Sequence, residues 1–453
     1  MDPKRILMAG AMAVALAALP AAARAESLAE ALASAYINNP NIESALLSVK
    51  SAAEDIALRE AGKRPTIAAN ISGTYNWSLT GAAGYQSSDS LTGGLSYNQT
   101  LFDNFKTEAQ IEQARALSDL SGQALRNAEQ NVLLSVAQAY MNVIRDTQLV
   151  ASRQESISFY DAQLKSANDR LEVGEGTKID VAQATARQAQ AVASYRAAVA
   201  SLQTSQASYQ RWVGHKASNL SSNVGFASMV PPSIDAAIAS AEERHPAILS
   251  AKAAIRASQA GTDGAQAAFG PTLDLIGQLC AIGCFGEQDI SGVAGSVKLS
   301  LSIPIYAGGA LGASVRKANL EQIKSEVDAM ATYDEVREAV ITSWATLQNA
   351  SAQITSAQAA VASVQQVLNG VIQERDLGQR TTLDVLDSQA ELTTAKEALI
   401  QASSSRVIAM FTLIAASGRL SAADLKLPVS LKSGDNYTST VEDVWQELRT
   451  VAD

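Results

Sequence analysis

The sequence predicts a mainly α-helical chain that contributes strands to a membrane β-barrel, with one structural unit written twice. Three observations predict it. Residues match at two fixed offsets, 206 early in each half (Pro40 with Pro246, Pro65 with Pro271) and 204 later (Phe102 with Tyr306, Tyr140 with Trp344, Gly174 with Gly378, Gly214 with Gly418). Apolar residues recur every seven positions through long proline-free stretches, the spacing of coiled-coil packing. Four stretches alternate apolar and polar residues with a period of two, as strands with unlike faces do.

The chain has 453 residues, a formal charge of −10, two Cys and two His. Lys4 and Arg5 precede an apolar stretch, Ile6–Leu19, and Ala23-Arg24-Ala25 fits a small-x-small cleavage site. Residues 1–25 are therefore expected to be a signal peptide, removed on export. The segment carries Lys4, Arg5 and Arg24 against Asp2, so its loss takes the charge to about −12. Such a balance argues against nucleic acid as a partner. No later apolar run of about 18 residues stands out, so no transmembrane helix is expected.

The first repeat is expected over 26–213. Ser27–Gly62 reads as a helix interrupted at Pro40. Pro65 then turns the chain to extended structure. In Thr66–Leu79, Ile67, Ile71, Tyr75, Trp77 and Leu79 alternate with Asn70, Ser72, Thr74, Asn76 and Ser78. Leu91–Leu101 repeats the pattern, giving a β-hairpin at about 66–102 with a loop near 80–90. A helical hairpin follows at about 105–213, with Val143, Val150, Ile157, Leu164 and Leu171 in heptad register. Residues 214–232 form a connector. The second repeat is expected over 233–418. It has a helix over Ser233–Phe269, with His245 before Pro246 marking a restart, and a β-hairpin at about 272–306 with a loop at 282–290. Its helical hairpin at about 310–418 carries the heptad Leu347, Ile354, Val361 and Leu368. A tail, 419–453, ends in a polar helix-like stretch at 440–450.

Two readings of the strands stand: a half-buried soluble sheet, or a share of a membrane barrel. Export and the lack of another layer to cover the strands favour the barrel. Four strands close no barrel, and lipid tolerates no open edge, so several chains would have to share it.

The order of these features resembles the TolC family of outer-membrane channels over nearly the whole mature chain. It rests on the duplication, the paired β-hairpins, Asn38-Asn39-Pro40-Asn41-Ile42, the run Gly378–Asp387 (GQRTTLDVLD) followed by Ser388–Leu392, and the tail Asn436–Trp445. The resemblance implies a homotrimer whose twelve strands form an outer-membrane barrel continuous with a periplasmic α-barrel, girdled by an equatorial region that includes the connector and tail. It implies a passive export duct for efflux or type I secretion, opened by a periplasmic adaptor and an inner-membrane pump of the RND or ABC type. A soluble periplasmic coiled-coil adaptor or scaffold protein is the alternative reading. No nucleophile–base constellation is evident, so no enzyme and no cofactor are expected.

Asp384 and Asp387 share a helix face. The resemblance places them as an acidic ring at the entrance. The other reading of Asp384, and of Asp180, is helix capping by Thr381-x-x-Asp384 and Thr177-x-x-Asp180. Capping leaves Asp387 unexplained. By resemblance Arg380, Arg375 and Asp180 form the gate latch, with Arg375 standing where the family has tyrosine and Ile179 where it has threonine. Arg375 is then either paired with Asp180 or a solvated tip residue. Oxidising surroundings favour a disulfide between Cys280 and Cys284, while their tight spacing at a strand end opposes it. No metal site is expected, because His215 and His245 lie far from the cysteines. Gly308-Gly309-Ala310-Leu311-Gly312 lacks a P-loop lysine and reads as a strand-to-helix turn.

Overall fold

The computed structural model describes residues 25–81, 84–284, 291–441 and 444. Almost all of the expected signal peptide, most of the loop at 282–290 and residues 445–453 therefore lie outside the described residues. In chain order the elements are α1 (Leu28–Asn38), α2 (Pro40–Glu60), β1 (Thr66–Thr80), β2 (Gly84–Phe102), α3 (Lys106–Glu172) and α4 (Lys178–Val213). They continue with α5 (Ile234–Arg244), α6 (Pro246–Ala267), β3 (Thr272–Cys284), β4 (Ser291–Ser302), α7 (Ala310–Asp376), α8 (Thr382–Ala416) and a short α9 (Asp435–Val441). Broken helix, β-hairpin and helical hairpin thus occur twice in the same order. The chain divides into two compact units, and the divisions fall at the start of α2, within α3, α5 and α7, and before Lys432.

One unit comprises 41–128, 242–337 and the tail from Lys432. Its opening helix in the second repeat starts where expected. Pro246 occupies the first turn of α6, and His245 Nδ1 caps it by accepting from the Ala247 amide at 3.2 Å. Proline has no N–H to leave unpaired at that position. The four strands form one antiparallel sheet in the order β1-β2-β3-β4. Ile67, Ile71, Tyr75, Trp77 and Leu79 of β1 are all exposed, as are Val293, Val297, Leu299 and Leu301 of β4. Among the described residues β1 and β4 each pair on one side only.

β2 starts earlier than the sequence pattern indicated. Polar Gln86–Ser90 resembles a loop, yet these residues continue the ladder opposite Thr74–Ser78. Pairing along a long partner strand overrides weak local propensity. β3 likewise runs through Cys284, and this argues against the expected loop disulfide. Cys280 is a free thiol. Four residues of extended strand separate Cα atoms by about 13 Å, well beyond the roughly 7 Å a disulfide permits. The side chain of Cys284 itself lies outside the described residues.

Both repeats turn from strand to long helix through two consecutive left-handed residues. The second uses Gly308 and Gly309 (φ 62° and 85°), so this glycine run is the turn it was read as. The first uses Asn104 and Phe105 (φ 56° and 67°) at the equivalent positions. Asn104 offsets the unfavourable conformation by donating from Nδ2 to the Ala267 carbonyl at 3.1 Å. The tail forms α9, in which Tyr437 donates to Glu54 of α2 at 2.7 Å, while most of the helix-like stretch expected at 440–450 lies outside the described residues.

The other unit comprises the start of the chain, 129–241 and 338–431. Tyr36, Tyr140, Tyr209, Phe411, Leu413 and Ile414 are fully buried there. The Tyr140 hydroxyl lies 2.8 and 2.7 Å from the Glu26 and Ser221 carbonyls, and Tyr209 donates to the Glu26 carboxylate at 2.7 Å. Burial pushes the Tyr140 hydroxyl up to about 12, so it remains protonated. By length and composition α8 is apolar enough to cross a membrane, contrary to the expectation that no such run follows the signal peptide. Phe411, Leu413 and Ile414 instead bury α8 within this unit.

Candidate functional site: the tips of the helical hairpins

The two tips are built alike. After α3, Gly174 adopts φ 83° and donates to Leu171 O at 3.2 Å, while Glu175 N donates to Arg170 O at 2.9 Å. After α7, Gly378 adopts φ 78° and donates to Arg375 O at 2.9 Å, while Gln379 N donates to Glu374 O at 2.8 Å. Both are Schellman stops, which place glycine at the left-handed position because a Cβ is disfavoured there.

Each return helix then begins in a reciprocal capping box. Asp180 accepts from Thr177 N at 3.0 Å and Thr177 Oγ1 at 2.6 Å, and its own amide donates to Thr177 Oγ1 at 3.2 Å. Asp384 accepts from Thr381 N and Oγ1, both at 2.8 Å, and its amide donates back at 3.2 Å. The capping reading of both aspartates therefore holds. The hydrogen bonds from Thr381, with the Arg380 charge nearby, hold the Asp384 carboxyl below the usual carboxylate range. Asp384 is an ionised group at the tip of the second hairpin.

Beneath the tips lies a buried seam, with Ile157, Leu164 and Val361 of the heptads packed against it. Tyr160 and Ala167 of α3 meet Ala184 and Ala191 of α4 and Leu386 of α8, while Leu368 of α7 meets Val385 and Leu392 of α8. This packing joins the two hairpins of one chain, and polar contacts run along the same seam. Ser156 lies 2.9 Å from Thr393, Arg153 donates to Glu397 at 2.7 Å, and Lys396 donates to Glu155 at 3.1 Å.

Within this framework the expected site residues take separate partners. Arg375 is only 10 % exposed; it donates to Gln163 of α3 at 2.6 Å and to neighbouring Asp376 at 2.8 Å. Arg380 is half exposed and donates to Glu374 at 2.8 Å. The chain therefore does not bring Asp180 to either arginine. Nor is Arg375 a solvated tip residue, since it fastens α7 to α3.

Asp387 pairs with Arg187 of α4 at 2.6 Å. Sequence reasoning missed Arg187, although a signal was present. At the 204 offset Arg187 corresponds to Glu391, seven residues beyond the cap aspartate in each copy, so the copies differ there by a charge reversal. Among the described residues no group of three or more His, Cys, Asp and Glu is placed to hold a metal ion.

An antiparallel four-stranded sheet, exposed and open on both edges, combined with paired long helical hairpins defines the class: a subunit of an outer-membrane channel. The family model described as "Outer membrane efflux protein" matches residues 31–215 and 237–419, each segment holding one β-hairpin and one helical hairpin. The chain belongs to this family and is an outer-membrane export channel. It is 35 % identical over 421 residues to the outer membrane efflux protein BepC of Brucella suis, covering 92 % of this chain and 90 % of BepC. It is 25 % identical to the outer membrane protein TolC of Escherichia coli, covering 86 % and 82 %. The CmeC outer membrane channel of Campylobacter jejuni shares the fold, with a TM-score of 0.78 at 16 % identity, covering 94 % of this chain and 91 % of that one.

Proposed function

We propose that three copies of the chain assemble into one duct that carries substrates from the periplasm across the outer membrane, passively, once an adaptor and an inner-membrane pump open its periplasmic entrance. The observation that carries this reading is the sheet. Its apolar side chains are exposed, and among the described residues β1 and β4 each present an unpaired edge. A hydrogen-bonding edge in lipid is satisfied only by closure, and three four-stranded sheets make a twelve-stranded barrel.

Asp384 and Asp387 line the entrance in this reading, and Asp384 favours cations there. The latch lies between chains. Asp180 and Arg380 have no ion pair with each other inside one chain, and Arg380 extends half exposed from the tip. Arg380 of one copy closes on Asp180 of the next, and Arg375 keeps each chain's hairpins together.

The test is conductance of the purified protein in planar lipid bilayers, with Arg380→Ser, Asp180→Ala and Arg375→Ser beside the parent. Each of the first two should raise conductance several-fold, as loss of a closing contact predicts. Unchanged conductance in all three would remove the latch. Extraction as a detergent-free monomer would remove the duct.

A further inference from the structure

We propose that Arg187 sets the charge selectivity of the entrance by neutralising Asp387, leaving Asp384 as its effective acidic group. The inference rests on the reading of Asp384 and Asp387 as entrance residues.

Among the described residues Asp384 accepts hydrogen bonds from Thr381 and forms no salt bridge, and the nearby Arg380 is itself paired with Glu374. These neutral donors stabilise the carboxylate without cancelling its charge, so it still attracts cations. Asp387 stands one helical turn further along α8 and is held differently. The Arg187 Nη2 lies 2.6 Å from its Oδ1, so the two present a dipole rather than a charge.

The pair is placed by the packing beneath it. Tyr160 donates to the Leu386 carbonyl at 3.3 Å, and Ala184, Ala191 and Leu386 share one cluster. That cluster fixes the α4 face carrying Arg187 against the α8 face carrying Asp387. Arg187 Nη1 also reaches Gln190 Oε1 at 3.3 Å, which holds the guanidinium over the carboxylate. The next cations along the seam, Arg153 and Lys396, are matched by Glu397 and Glu155 and add no net charge.

Asp384, Asp387 and Arg187 therefore sum to one negative charge per chain, where the acidic residues alone would give two. Three chains present about three negative charges instead of about six. Pore-lining charge sets the local ratio of cations to anions, so removing the Arg187 charge should make the channel more cation-selective.

The experiment measures reversal potentials of the full-length channel in planar lipid bilayers under a potassium chloride gradient. Arg187→Gln is expected to raise the potassium-to-chloride permeability ratio about two-fold or more. Arg187→Lys keeps the charge and should stay near the parent. Asp387→Asn strands the arginine and should lower the ratio, and the double variant Arg187→Gln/Asp387→Asn should return towards the parent. A purely structural role for Arg187 would not give that sign reversal and restoration. If Asp384→Asn lowers the ratio but Arg187→Gln leaves it unchanged, this inference is wrong and the entrance reading stands. If neither Asp384→Asn nor Asp387→Asn moves the ratio, the entrance reading fails and takes this inference with it.

Discussion

At the scale of the residue, Asp384 does two jobs with one carboxylate. It closes a capping box with Thr381 and keeps a negative charge at the hairpin tip. The hydrogen bonds from Thr381 favour the ionised form, and Arg380 adds to them. The folded-state pKa is thus depressed below the unfolded one. The capping contribution is fully present above the unfolded value and is lost as pH falls through the depressed folded value. If Asp384 lines the entrance, cation selectivity should persist when the medium is acidified through the ordinary carboxylate range and fall only below it. Thr381→Ala removes the hydroxyl donor but keeps the larger contribution of the residue-381 amide, so the fall should move part of the way to higher pH; reversal potentials recorded across an acid series read the shift. The caps were legible in the sequence because Thr-x-x-Asp is a local pattern. The partners of Asp387 and Arg375 were not. Arg187 and Gln163 lie 200 and 212 positions away, and only the packing of four helices brings them into reach.

At the scale of the element, the strand-to-helix corner shows how two copies meet one backbone demand with different residues. Gly308 and Gly309 meet it through the absence of a Cβ, and Asn104 meets it with a hydrogen bond to Ala267. Asn104 in turn needs Gly270, because a Cβ there would lie 2.1 Å from the Asn104 side-chain amide. Gly270→Ala should destabilise the channel by about 1–3 kcal/mol, the usual cost of overpacking. Adding Asn104→Gly, which copies the second repeat's solution, should recover much of that loss; thermal unfolding of the single and double variants measures both effects. Strand and helix positions were readable from periodicity and proline, and α2, α3 and α6 begin within a residue or two of expectation. The start of β2 was not readable, since Gln86–Ser90 has no strand signal of its own and is extended by its partner β1.

At the scale of the whole molecule, the sheet's two faces have unequal tolerance. Ile71 and Asn70 are neighbours on β1 and point to opposite faces, as the pleat requires. If the Ile71 face meets lipid, Ile71→Lys should cost up to about 2–4 kcal/mol near the membrane midplane. Asn70→Lys, facing the lumen, should be nearly neutral. The yield of assembled channel in the outer-membrane fraction separates the two, and equal losses would contradict the assignment of faces.

The apolar helix α8 carries a consequence for biogenesis. An outer-membrane chain crosses the inner membrane before α8 takes its place in the core. In a chain not yet folded no tertiary structure shields it, and by length and composition it is apolar enough to cross a bilayer. Between Leu399 and Ala416 the only charged residue is Arg406. An arginine near the middle of such a segment disfavours insertion by roughly 2.5–3.5 kcal/mol. Arg406 is exposed in the folded protein and forms no salt bridge among the described residues. In a chain crossing the bilayer unfolded, that cost would bias a future core helix towards passing through rather than staying.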